Sequence, residues 1–137
     1  MINNKTTLKT YFKNGDKPTE LEFSFLIDSS ISGLVKNLVY SNPLITYLSQ
    51  GYIFTVTMTG DMEISNPIGG IDGNFYTWRI KQDNTGGHTV NLGSKFKLPS
   101  SAGSTLSWSI APNAMDILVA HYDEIEDLFY LLSLRKP

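Results

Sequence analysis

The stretch 52–99 limits this chain to a β-rich fold. Between Tyr52 and Thr59, apolar residues alternate with threonines, and the same two-residue period returns at 75–82. Such alternation is typical of strands that bury one face. Both runs are rich in β-branched and aromatic residues, which favour strands. The sequence therefore predicts two strands here, separated by a glycine-rich loop.

Two hairpins are predicted around turn signals. Residues 83–87 read Asp-Asn-Thr-Gly-Gly, in which the glycines allow the positive φ angles of a tight turn. A return strand at 88–92 would complete an antiparallel unit with the preceding strand. The C-terminal hairpin has its arms at 114–122 and 128–134. Both of these arms are largely apolar on both faces, as in strands that are covered on two sides.

Two shorter segments also carry strand patterns. Residues 44–48 and 105–110 are bounded by turn residues, and each predicts a short strand. Residues 31–43 combine helical spacing with many β-branched residues, so a second short helix and an extended linker both remain open. The resulting prediction is a mainly β protein, with an antiparallel β-sandwich of about eight strands spanning 44–137.

A short helix is predicted at 19–28. It opens with Thr-Glu-Leu-Glu, which fits a capping box, and Phe23, Leu26 and Ile27 then fall on one helical face. Ten residues do not hold a helix alone. The apolar side therefore needs this chain's own β unit, a neighbouring subunit or a docking partner. Residues 1–43 are predicted to form an N-terminal arm and helix, separate from the β domain.

Composition excludes several classes of function. The 137 residues suit one compact unit, and the absence of cysteine excludes disulfides, thiolate zinc sites and cysteine nucleophiles. The net charge is −2 with scattered Lys and Arg, so we expect no nucleic-acid partner. Apolar runs are too short to span a membrane, and the first residues lack the apolar core of a signal peptide.

Candidate catalytic and metal sites have simpler interpretations. Residues 121–126 contain a histidine and carboxylates, but the pattern is that of an acidic turn, and a metal needs three or four converging ligands. Asp72, Asp83 and Asp116 would be the carboxylates available for glycoside hydrolysis. The first two lie where turns use Asp for local hydrogen bonds, and Asp116 is expected to bond to nearby backbone. We therefore expect no enzyme, no cofactor and no metal.

The aromatic residues leave two interpretations open. Tyr76, Trp78 and Trp108 lie on the apolar sides of their strands, which favours the core, but aromatic faces also stack on sugars. The core interpretation is strongest for Trp78 and weaker for Trp108, which follows a serine-rich loop. Tyr122 is the other candidate contact for a glycan. The threonines within 55–59 are predicted to face solvent or, in a trimer, to line the subunit contact.

Landmark residues recur through the chain in a fixed order. The first set is Phe-Lys-Asn-Gly-Asp-Lys-Pro-Thr at 12–19, followed by the Phe, Leu, Ile, Asp and Ser of 23–29. The second runs from Gly51 through the alternating strand, Asn-Pro at 66–67 and later glycines to Ala-x-Asp-Ile-Leu at 114–118. Together the two sets cover most of residues 12–134.

This order resembles bacteriophage fibre and receptor-binding proteins, particularly those of phages and prophages of the Bacteroides group. The resemblance implies a small β-sandwich that trimerises in a short fibre, knob or decoration protein. The chain departs from the pattern at Leu92, where a tryptophan is common, and it lacks long shaft repeats. A long tail fibre is therefore not implied.

The resemblance also implies how the parts of the chain are used. Residues 1–30 would dock on the capsid or tail, and the β domain would trimerise and project from the virion. The attachment residues would be Phe12, Pro18, Phe23, Leu26 and Ile27. We thus predict a structural virion protein, made in the host cytoplasm, whose partners are itself and other virion proteins. The alternative is a receptor-recognition module that binds a host-surface glycan through Trp108 and Tyr122.

Overall fold

The computed structural model describes residues 35–98 and 106–135, which form a mainly β structure. The strands are β1 (Val35–Asn37), β2 (Ile53–Met58), β3 (Met62–Ile64), β4 (Phe75–Gln82), β5 (Val90–Leu92), β6 (Phe96–Lys97), β7 (Met115–Asp123) and β8 (Leu128–Arg135), with one 3-10 turn at Leu48–Gln50. Six of them form a large sheet in the order β1-β2-β4-β7-β8-β6, and β3 pairs with β5 in a small sheet. In this described part of the chain, no helix is long and apolar enough to cross a membrane.

The predictions for the N-terminal part lie outside the described residues. They comprise the helix at 19–28, the arm before it and all five attachment residues. The division of the chain between 43 and 44 also stays a prediction. Strand β1 precedes that division and belongs to the large sheet, because it pairs in parallel with β2.

The large sheet buries one of its two faces. Along β2, β4 and β7 every even-numbered residue is buried, while the odd-numbered residues are partly or fully exposed. The period-2 pattern of the sequence is therefore confirmed at 53–58 and 75–82. The buried face and the small sheet share one core, which comprises Leu44, Leu48, Phe54, Val56, Met58, Met62, Ile64, Tyr76, Trp78, Ile80, Val90, Phe96, Leu118, Ala120, Tyr122, Phe129 and Leu131.

Trp78 lies at the centre of this core. Its fully buried indole stacks on Phe54, with ring centroids 6.0 Å apart. It also meets Phe96 and Phe129 edge-on, at 5.4 and 6.5 Å. The indole Nε1–H donates to the Thr46 hydroxyl at 3.1 Å, and this threonine is buried as well. The core interpretation of Trp78 is confirmed, and its polar group is satisfied inside the protein.

The strands within 52–99 are present, but their predicted antiparallel pairing is wrong. Strand β2 pairs with β4 in parallel, which places Phe54 opposite Trp78. Strand β5 pairs with β3, also in parallel, instead of returning along β4. Antiparallel pairing joins β4 to β7 and β7 to β8, and β6 is parallel to β8. The large sheet is therefore mixed, not antiparallel.

Contacts of the loop after β4 explain why the first hairpin does not form. Asp83 Oδ1 accepts a hydrogen bond from the Gly86 amide at 3.0 Å, and the Gly87 amide donates to the Ile110 carbonyl at 2.7 Å. A Cβ atom at Gly86 would lie 2.6 Å from that same carbonyl oxygen, so only glycine fits this approach. The loop is held against the segment before β7, and β7 becomes the neighbour of β4.

Residues 44–48 do not form the regular strand that we predicted. They alternate between buried and exposed positions, but only two isolated bridges form, from Leu44 to Ile64 and from Tyr47 to Ile68. The segment then passes into the 3-10 turn. The segment lies beside β3 and, together with the small sheet, forms the second layer of the fold. Its extended backbone ends at Leu48, where the 3-10 turn begins.

The predicted strand at 105–110 is also wrong for its described residues, 106–110. Side chains, not a neighbouring strand, bond to the backbone of Ser109. Its amide donates to Asp116 Oδ2 at 2.7 Å, and its carbonyl accepts from Gln82 Nε2 at 3.1 Å. Both of these side chains are buried. Their bonds fix the segment as an irregular cover over one end of the core.

The C-terminal hairpin is confirmed. Strands β7 and β8 pair antiparallel, with a register shift between Val119 and Ala120. The expected cover on both faces is only partly present among the described residues. Odd-numbered residues of β7 are half-buried at most positions, and β8 exposes Tyr130 and Leu132.

Replacing Thr46 with valine should destabilise the fold through the indole of Trp78. The substitution keeps the shape of the side chain but leaves a buried N–H without an acceptor, which costs about 1–3 kcal/mol. Thr46→Ser is the matched control, since it keeps the oxygen and loses one methyl group, about 1 kcal/mol. Urea unfolding followed by tryptophan fluorescence measures both. A valine variant as stable as the parent protein would show that this hydrogen bond contributes nothing.

Candidate functional site

The first candidate site is a cavity of about 580 Å³ between the Gly69–Gly70 loop and the β7–β8 turn. Tyr122, Lys95 and Asp127 belong to its wall. The Tyr122 hydroxyl donates to Asp127 Oδ1 at 2.9 Å, and Lys95 forms an ion pair with the other oxygen of the same carboxylate. The carboxylate is therefore held from two sides. A Cβ atom at Gly70 would lie 2.9 Å from the Tyr122 ring, so glycine permits the close approach of this loop.

These contacts set the charges in the first cavity. Burial raises the pKa of Tyr122 to about 12, and the hydrogen bond to Asp127 acts in the same direction. The ion pair with Lys95, followed by the bond from Tyr122, holds the pKa of Asp127 below its usual value. At neutral pH the phenol is thus protonated and the carboxylate charged. Sequence reasoning missed the Lys95–Asp127 pair, because its members lie 32 positions apart and no local pattern joins them.

The second candidate site is a cavity of about 270 Å³ beside β5 and β6. Trp108 lines it together with Leu106, Leu98 and Asn91. The tryptophan is half-buried, so part of its ring packs on the core and part faces the cavity. Trp108 and Tyr122, the two predicted glycan contacts, line different cavities. Tyr122 is itself buried and uses its hydroxyl inside the protein.

The three aspartates considered for catalysis are bonded to backbone groups. Asp72 Oδ1 accepts from the Glu124 amide at 2.9 Å, which ties the loop before β4 to the β7–β8 turn. Asp83 caps its own loop, and Asp116 holds the Ser109 amide. The second oxygen of Asp116 is buried and has no hydrogen-bond partner among the described residues. Within 35–98 and 106–135, no group of three or more His, Asp or Glu residues is placed to hold a metal ion.

Two apolar surfaces complete the candidate regions. The outer patch consists of Ile45, Tyr47 and Ile68, which are 44%, 45% and 50% exposed. The bridge between Tyr47 and Ile68 places them side by side on the outside of the second layer. The open face is the side of the large sheet away from the core. The strand register places the residues of this face opposite one another in rows. These rows contain Val35, Ile53, Thr55, Phe75, Thr77, Arg79, Lys81, Met115, Ile117, Val119, His121, Tyr130 and Arg135.

Replacing Tyr122 with phenylalanine should flatten the loss of stability at high pH. The folded-state pKa of about 12 exceeds the ordinary value of 10.0, so the stabilisation is complete below pH 10 and is lost as the pH rises from 10 to 12. Melting temperatures between pH 8 and pH 12 measure this loss. The parent should fall more steeply above pH 10 than Tyr122→Phe, and Tyr47→Phe on the outer patch should behave as the parent. Equal slopes for the parent and Tyr122→Phe would contradict the assignment.

One of three comparisons with known proteins found a match. The chain matches the family model described as "Putative phage tail fibre C-terminal domain" over residues 43–123, more than half of its 137 residues. The matched span contains strands β2 to β7, and therefore parts of both sheets. No curated protein and no solved structure matches the chain. The resemblance to phage fibre proteins is confirmed, and the chain belongs to the family of phage tail fibre C-terminal domains.

Proposed function

We propose that this protein is a structural component of a short phage fibre, which assembles as a homotrimer and attaches to the virion through residues 1–30. The family match over 43–123 carries the proposal, since it joins the β core to a fibre protein. A sandwich of the large sheet and the second layer would form the projecting domain.

The outer patch supports association between copies. Ile45, Tyr47 and Ile68 expose three large apolar side chains together, and burying such a patch against another subunit is favourable at roughly 25 cal/mol per Å². In a trimer each copy uses one surface to contact a different surface of the next copy, and the ring closes after three contacts. Three attachment segments then bind the virion together, which strengthens binding without any new type of contact.

The proposed role requires no catalysis. Each aspartate that was a candidate acid or nucleophile accepts a hydrogen bond from a backbone amide, and these bonds fix loops of the fold. Asp72 and Asp83 lie in the loops at the two ends of β4, and Asp116 lies in β7, so each carboxylate serves a different local hydrogen bond. We therefore infer a structural protein and not a hydrolase.

The oligomeric state tests the trimer directly. Light scattering of the purified full chain at micromolar concentration should give three times the 15.3 kDa chain mass. Tyr47→Ser combined with Ile68→Ser should lower this mass toward that of one chain. Val39→Ser is the control, because Val39 is 88% exposed and is not part of the outer patch. A parent protein that runs as a monomer or dimer would overturn the trimer.

Glycan recognition is the second candidate function, and the Trp108 cavity favours it. A half-buried tryptophan beside a concave, partly polar surface provides a stacking face for a sugar ring and hydrogen-bond partners such as Asn91. The buried Tyr122 contributes less, because its ring packs on Phe129 with centroids 4.7 Å apart.

A glycan array on the full chain separates the two functions. If the second function holds, the parent binds a bacterial surface saccharide and Trp108→Ala loses that binding. Tyr122→Phe should retain it, since this substitution leaves the Trp108 cavity unchanged. No binding to any bacterial saccharide, or binding that survives Trp108→Ala, would remove this site and leave the structural role alone.

A further inference from the structure

The open face of the large sheet has an apolar centre bordered by cations. Ile53 and Val119 lie in one registered row with Thr77 between them, and the next row places Ile117 beside Arg79. These residues are half-buried, whereas the opposite face of the same strands is fully buried. Lys81 continues the basic border. A groove of about 390 Å³ runs along it, and none of the described residues that line this groove is acidic.

The surroundings of Arg79 indicate which kind of partner would fit the open face. Its side chain is half-buried, yet the ion pairs formed by the described residues all lie elsewhere. No hydrogen bond to its guanidinium occurs within 35–98 or 106–135. A cation that loses part of its hydration needs an acidic partner to compensate. Lys81 and Arg135 on the same face also lack an ion pair with any described carboxylate, so the surface suits an occupant that is both apolar and acidic.

The segment 19–28 has this chemistry. It reads Thr-Glu-Leu-Glu-Phe-Ser-Phe-Leu-Ile-Asp, with three carboxylates, no cation and five large apolar residues. At about 100° per residue, Glu20 and Glu22 fall on the two sides of the apolar stripe of the predicted helix. The cations of the open face lie along one side of its apolar centre, so one acidic border of the apolar stripe can lie beside them. A helix of this length also needs such a surface to be stable.

The connection is long enough for the segment to reach the sheet of its own chain. Seven residue steps separate Asp28 from Val35, the first residue of β1, and they span up to about 25 Å when extended. The distance from β1 across to β7 is three strand spacings, about 14 Å. We propose that residues 19–28 lie across the open face of their own large sheet, with one acidic border of the segment, at Glu20 or Glu22, beside its cations.

This inference divides the attachment segment of the proposed function into two parts. Phe23, Leu26 and Ile27 contact the sheet, and Phe12 and Pro18 remain available to contact the virion. The sheet contact is a property of the isolated protein, whereas attachment requires a partner. The two experiments below measure the sheet contact in the isolated protein. A negative result there would contradict the sheet contact but not attachment to the virion.

Cross-linking in the cysteine-free chain tests the contact. Leu26→Cys combined with Thr77→Cys places one thiol on the segment and one in the middle of the open face. Under mild oxidation the pair should form a disulfide within one chain, seen as loss of free thiols without a change of mass in a denaturing gel. Leu26→Cys with Glu63→Cys is the control, because Glu63 is exposed on β3 in the other sheet. Equal rates for the two pairs, no disulfide, or disulfides only between chains would overturn the proposal.

Charge reversal tests the pairing independently. Arg79→Glu with Lys81→Glu should raise the rate of chymotrypsin cleavage at 23–26, on the order of threefold for each ion pair lost. Adding Glu20→Lys and Glu22→Lys to that variant should restore the parent rate. Thermal unfolding checks that the sheet remains folded in both variants. A cleavage rate that stays at the parent value after the first reversal would contradict the contact. So would a rate that the second reversal does not return to the parent value.

Discussion

The indole of Trp78 connects parts of the chain that are distant in sequence. It contacts β2 through Phe54, the far edge of the large sheet through Phe96, and the second layer through Thr46. Strands β4 and β6 are three places apart in the sheet, a distance of about 14 Å if it were flat. Their rings nevertheless lie 5.4 Å apart, because these two large side chains reach toward each other across the buried face. One buried indole thus joins the middle of the large sheet to its edge.

The face of the large sheet away from the core has no second layer among the described residues. The buried face consists mainly of large aromatic and aliphatic side chains, together with the polar Gln82 and Asp116, whereas the open face mixes threonines and cations with its apolar residues. Both sets come from the same strands, because successive side chains alternate between faces. A single run such as β4 therefore supplies both the core, through Trp78, and the surface, through Arg79.

The sequence predicts where the strands lie, but it does not predict which strands pair with each other. Alternation in 53–58 and 75–82 depends on burial of one face, a local property that any neighbour on either side satisfies. Pairing of β4 with β2 and β7 depends instead on where the loop after Gln82 is held, and Gly86 approaches a carbonyl more than 20 residues later in the chain. The Lys95–Asp127 contact and the half-buried Arg79 depend on the same long-range pairing. No residue pattern within a short window encodes them, so the candidate surfaces emerged only from the fold.

The charges on the open face restrict how copies can associate. Two open faces that met across a two-fold axis parallel to the strands would bring Arg79, Lys81 and Arg135 of one chain toward the same cations of the other, and like charges at such a contact cost free energy. Covering each open face with an acidic segment of its own chain removes this repulsion and hides the apolar rows. In the fibre proposed above, copies would instead associate through the uncharged outer patch of Ile45, Tyr47 and Ile68. The charges of the open face thus disfavour the dimer in which like charges meet, and leave the apolar patch as the surface that the proposal uses.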